Sequence, residues 1–98
     1  MEEIWIARLE VIALLDSARD LGQAGYTNVV CSGSDRDAVE LKVRDCLTSY
    51  GWQILNIENI SAVHDDLAYS DEICELIDDV RQNSHHIRLA TLHTYKVN

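Results

Sequence analysis

Proline is absent from this chain of 98 residues, so neither a rigid proline-rich linker nor a fixed cis-proline turn organises it. Glycine is scarce as well: Gly22, Gly25, Gly33 and Gly51 are the only ones, and they punctuate the chain before and after a central helical segment. Basic residues are few, eight Lys and Arg against seventeen Asp and Glu, for a formal charge of −9. That sign opposes phosphate backbones and anionic lipid surfaces, and it excludes nucleic acid and membrane as expected partners. The aromatic side chains Trp5, Tyr26, Tyr50, Trp52, Tyr69 and Tyr95 do not interleave with basic residues, as a stacking platform for single strands requires.

Long apolar runs are missing too. The segment MEEIWIARLEVIALL opens with Glu2 and Glu3 and carries Arg8 and Glu10, the pattern of neither a signal peptide nor a membrane span. Cysteine is limited to Cys31, Cys46 and Cys74, odd in number and far apart, which reads as reduced and mostly buried thiols in a cytosolic protein. Cys46 falls in helical phase with Val43 and Leu47, so a packing role is expected rather than a catalytic thiolate.

What is present is a globular composition, 47% hydrophobic and 26% charged, which fits a single domain over residues 1–98. Ser34 to Val63 carries the clearest pattern. Ser34 reads as a helix cap with Asp37 in place of the usual capping-box Glu or Gln. Val39, Val43, Cys46, Leu47 and Tyr50 then recur at helical spacing, Gly51 stands at the left-handed C-terminal position, and Trp52 opens a strand. That strand runs to Val63 with a break in alternation near Ile54 and Leu55, where a bulge or register change is expected.

Ile4 to Leu15 fits either period, but its Ile, Trp and Val content and the nearby run Tyr26 to Ser32 favour two strands of a hairpin, joined through DSARDLGQAG. Ser70 caps a second helix through about Asn83, with Ile73, Leu76, Ile77 and Val80 on its apolar face, and Ile87 to Val97 forms the last strand. The expected fold is α+β in the order ββαβαβ, a two-layer sandwich in which a mixed sheet of about four strands carries both helices on one face. Trp5, Ile54, Leu92 and Tyr95 would then leave the other face partly apolar and available to a partner.

The stretch HDDLAYSDEICELIDD is the unusual feature, with seven carboxylates in sixteen residues. Asp71, Glu72, Glu75, Asp78 and Asp79 gather on the helix face opposite the apolar one. Like charges at Asp71/Glu75 and Glu75/Asp79 each cost about 0.2 to 0.5 kcal/mol, so stability alone does not choose this arrangement. These five residues are the candidate surface for a basic partner; the plain alternative is a solvated helix face.

Other chemistry finds little support. Exposed carboxylates lack the shielding that separates the pKa values of a general acid and base. His64, His85, His86 and His93 match no metal-ligand spacing, and adjacent His85 and His86 diverge in an extended chain. Gly33 lies between Ser32 and Ser34 without the second glycine of a nucleophile elbow, and Asp35 and Asp37 would repel a phosphate at that turn. No catalytic, metal or cofactor site is expected. The residues read as a cytoplasmic, non-enzymatic protein-binding or regulatory domain, with a protein partner or a homodimer. An acidic inhibitor of a basic partner, immunity-like or antitoxin-like, is the alternative, and a metal-assisted hydrolase on His64, Asp65 and Asp66 is the third.

Overall fold

A computed structural model of the chain describes residues 2–13, 23–64 and 67–96. The fold is α+β, and the elements follow the expected order. Strands β1 (Glu3–Ala13) and β2 (Gln23–Gly33) form an unbroken antiparallel ladder from Glu3 opposite Gly33 to Ile12 opposite Ala24. The apolar, β-branched content of both segments thus outweighs the helical spacing of Ile4, Ala7 and Val11. The tail of the first segment, Leu14 and Leu15, and most of the DSARDLGQAG connection lie outside the described residues, whereas Gln23, Ala24 and Gly25 already belong to β2.

Strand β3 (Trp52–Ala62) pairs with the other side of β1, while β4 (Ile87–Leu89) and β5 (His93–Lys96) both pair with the outer side of β2. The last strand is therefore one lane with an interruption at Ala90–Leu92. Four steps separate Leu89 from His93, but only three separate their partners Val29 and Tyr26, so the outer lane carries one residue in excess. On the opposite edge β3 carries two, Leu55 and Glu58, each skipped in the pairing with β1. The expected irregularity near Ile54 and Leu55 is thus present, and a second follows it. Both edge lanes are irregular while the central ladder is not, a pattern that discourages pairing with another chain's strand.

Two features differ from expectation. Every neighbouring pair is antiparallel rather than mixed, and the helices α1 (Arg36–Ser49) and α2 (Asp71–Gln82) cover opposite faces. Val39, Val43 and Leu47 of α1 pack on Ala7, Leu9, Val11, Val29 and Cys31, the odd positions of β1 and β2. The α2 residues Ile73, Leu76, Ile77 and Val80 pack on Val30, Ile4 and Ile6, the even positions. Trp5, Ile54 and Leu92 join the α1 side rather than a bare face; the side chain of Tyr95 lies outside the described residues.

The reason lies in strand direction. β2 and β3 both run antiparallel to β1 and hence parallel to each other, so β2–α1–β3 is a crossover to which a handedness rule applies. β4 runs antiparallel to β2 and therefore to β3, so the rule does not constrain α2. The apolar alternation of β2 is what draws α2 to the second face: Val29, Val30 and Cys31 are all buried, and successive residues point to opposite sides.

Helix ends refine the local reading. Asp35, not Ser34, caps α1: its Oδ1 accepts the Ala38 N–H at 2.8 Å, and its backbone is extended. Both residues are competent caps, and Asp35 adds a negative charge at the positive end of the helix. Gly51 holds the left-handed conformation with φ 85°, as expected after a helix. Tyr50, taken as the last residue of the apolar face, is the C-terminal cap and is exposed. Cys46 is only half-buried, because the buried line Val39, Val43, Leu47 centres about 60° away from it at 100° per residue. Ser70 caps α2 as expected, its Oγ accepting the Ile73 N–H.

Candidate functional site

The five carboxylates of α2 divide into two groups that the sequence does not separate. Glu72 and Asp79 turn toward the β4 lane. Glu72 accepts the Thr91 backbone N–H at 3.1 Å and the Thr91 hydroxyl at 2.5 Å, which ties the first turn of α2 to the interruption between β4 and β5. Asp79 accepts His86 Nδ1 at 2.9 Å and Arg88 Nη1 at 3.1 Å, and its backbone carbonyl accepts the Asn83 N–H. These contacts lower both carboxyl pKa values: for Glu72 chiefly the Thr91 hydroxyl, for Asp79 chiefly the His86 hydrogen bond, with Arg88 adding to it. Glu72 and Asp79 are thus fold-holding residues.

Asp71, Glu75 and Asp78 are exposed and make no ion pair among the described residues. Their spacing, i, i+4 and i+7, aligns them along one line of the helix. Arg81 follows Asp78 by three residues and lines the same hollow, so it is the cation of α2 that stands by the end of this line.

Beside this line lies a hollow of about 140 Å³, floored by Val63, Tyr69 and Ile77 and rimmed by Leu67, Cys74 and Asp78, with His64 and Arg81 completing its wall. Tyr69 shapes it. Its hydroxyl accepts the His64 N–H at 3.2 Å, its ring packs on the α2 core, and its carbonyl accepts the Cys74 thiol at 3.7 Å. Tyr69 precedes the cap Ser70 and Cys74 is the fourth helical residue, the two positions of a hydrophobic staple. Leu67 is 54% exposed, an apolar side chain that shares the lining with Asp78. Neither Leu67 nor Tyr69 stands out as a site residue in sequence, although the staple position of Tyr69 is a legible signal.

Nothing else described assembles into chemistry. Among the described residues no group of three His, Cys, Asp or Glu is placed to hold a metal ion. Asp65 and Asp66 of the proposed hydrolase set lie outside the described residues. His85 and His86 sit in a turn rather than an extended chain, so their rings meet edge to face at 4.6 Å instead of diverging, and His86 is committed to Asp79. Cys31 is buried and burial raises its thiol pKa, an effect that the Lys42 charge partly offsets; burial raises Cys46 as well. Cys74, expected among the buried thiols, is exposed, since it lies on the flank of α2 beside the hollow.

Gly33 has a packing role. A Cβ there would strike Cγ2 of Val39, so glycine is what allows α1 to close onto the end of β2, and the Gly33 carbonyl accepts the Trp5 indole N–H at 3.0 Å. Among the described residues no helix is long and apolar enough to cross a membrane. In comparisons with known proteins, no family model matches the chain and no curated protein or solved structure proves similar to it.

Proposed function

We propose that this chain is a cytosolic, non-enzymatic protein-binding domain that takes a short basic segment of a partner protein along α2. One apolar side chain of the partner fills the hollow at Tyr69, and neighbouring Lys or Arg side chains lie against Asp71, Glu75 and Asp78. The observation that carries this reading is the shared residue Asp78, which both rims a side-chain-sized hollow and belongs to the exposed acidic line. An apolar anchor surrounded by complementary charge is the usual division of labour at an interface: the anchor supplies affinity, and the charges supply orientation and association rate. An inhibitor that occupies a basic site on another protein, in the manner of immunity or antitoxin proteins, is the narrower form of the same reading.

The test uses the full chain as bait in its native cell, beside a variant with Asp71→Lys, Glu75→Lys and Asp78→Lys. A partner retained by the wild type and bound more slowly by the variant at low salt supports the reading. Equal association rates at low salt remove the acidic line from the mechanism. The variant stays folded, because single changes on this exposed face alter stability by about 0.5 kcal/mol or less. Light scattering across a concentration series addresses the homodimer: a dimer that survives charge reversal places self-association elsewhere, and a strict monomer leaves the partner segment as the occupant.

A further inference from the structure

On the other side of the sheet, under the C-terminal half of α1, lies a second cavity of about 190 Å³. Its inner wall is the core itself, formed by Val11, Leu47 and the Trp52 ring, and its outer wall is formed by Leu89 and Leu92 on either side of the interrupted lane. The inner residues are buried, whereas the outer ones are half-buried. Thr27, also buried, lines the cavity, but its hydroxyl is committed to the carbonyls of Ala90 at 3.0 Å and Asn28 at 3.3 Å. The N–H of Ala90, at the interruption, donates to Asn28 O at 2.8 Å. Among the described residues no buried side-chain nitrogen or oxygen lacks a hydrogen-bond partner.

The cavity opens to solvent on the side of the half-buried leucines, and its lining is mostly apolar, with the Thr27 hydroxyl proton donated to carbonyls of the fold. Enclosed apolar cavities of roughly 150 Å³ take up benzene, so a mostly apolar, half-open hollow of about 190 Å³ has the room for a ring of that size. Its outer wall is also the place where the lane carries an excess residue, so the wall belongs to an irregular strand while the floor belongs to the regular ladder.

We propose that this cavity is a binding site for a small apolar molecule, a six-membered hydrocarbon ring or a group of that size, stacked against the Trp52 ring beneath Leu89 and Leu92. The ligand enters past the half-buried leucines, and recognition rests on shape and apolar contact rather than on hydrogen bonds. Charged or strongly polar molecules of equal size bind less well, because the mostly apolar lining offers them few hydrogen-bond partners in exchange for water.

Benzene is the probe. Titration followed by methyl NMR should give saturable shifts at Val11, Leu47, Leu89 and Leu92, together with a melting temperature that rises with benzene concentration. Leu89→Phe fills the cavity from its half-buried wall and should reduce benzene affinity at least tenfold while preserving the remaining spectrum. Leu41→Phe, at an exposed position on the outer side of α1, should leave affinity unchanged. The proposal is overturned by non-saturable shifts, by shifts spread over surface methyls, or by a folded Leu89→Phe variant that binds benzene as well as the wild type. It is independent of the α2 surface, so the acidic-line variant should bind benzene normally.

Discussion

Ile54 and Ile57 stand three residues apart in one strand yet point to the same face, opposite Val11 and Leu9 of β1 respectively. Strand geometry alternates every two residues, so the pair is possible only because Leu55 is skipped in the ladder. Glu58 repeats the device and returns Ile60 to the same side opposite Ala7. The chain thus uses a spacing of three to place three isoleucines against the α1 core, and the skipped residues fall outside: Leu55 is 48% exposed, and Glu58 bonds Arg8 at 2.8 Å.

Apolar content on β3 should therefore matter by position rather than by residue type. Ile60→Ala, at a buried site, is expected to destabilise by about 2 to 5 kcal/mol, whereas Leu55→Gln should change stability by about 0.5 kcal/mol or less. Denaturant titration measures both. Comparable losses would mean that Leu55 is packed and that the bulge is misplaced.

Gly33→Ala tests the approach of α1 to the sheet. The new methyl collides with Val39, a fully buried residue, so a loss of about 1 to 3 kcal/mol is expected. Combining it with Val39→Ala should recover part of that loss, because the smaller neighbour makes space. A double variant whose losses simply add would show that the two sites do not touch.

Legibility follows from the range of each determinant. The two helices, their apolar faces and the cap of α2 rest on short periodicities, and residues such as Ile73, Leu76, Ile77 and Val80 place themselves. The sheet side taken by α2 does not, because the direction of β4 relative to β3 removes the handedness rule, and the run of apolar residues on both faces of β2 shows that both are covered without showing which helix covers which. The cap of α1 shifted by one residue because Ser34 and Asp35 are both able caps and adjacent. The candidate surface was half legible. Its carboxylates are evident as a cluster, but the commitment of Glu72 to Thr91 and of Asp79 to His86 and Arg88 depends on partners 7 to 19 residues away across a turn or a strand.

The three thiols should separate by reactivity. Cys74 is exposed, Cys46 is half-buried and Cys31 is buried beneath α1, with burial raising the pKa of the latter two. A disulfide reagent at neutral pH should label Cys74 rapidly, Cys46 more slowly, and Cys31 only on unfolding. Mass spectrometry of timed samples reads the order. Early labelling of Cys31 would contradict its place in the core.

Acid should loosen the link between α2 and the β4 lane. The Asp79 carboxyl titrates below its ordinary value of about 3.9, chiefly through the His86 hydrogen bond and also through Arg88, and Glu72 titrates low through Thr91. A carboxyl with a depressed folded pKa contributes stability that is present above its unfolded value and is lost as pH falls through the folded one. The effect therefore lies from about pH 5 downward and leaves neutral pH untouched. Carboxyl NMR should show the Asp79 transition moving upward in His86→Ala, and urea midpoints for Asp79→Asn should fall less between about pH 5 and pH 2 than those of the wild type. An Asp79 transition unmoved by loss of His86 would show that the His86 contact does not hold the carboxylate and would leave Arg88 as its partner.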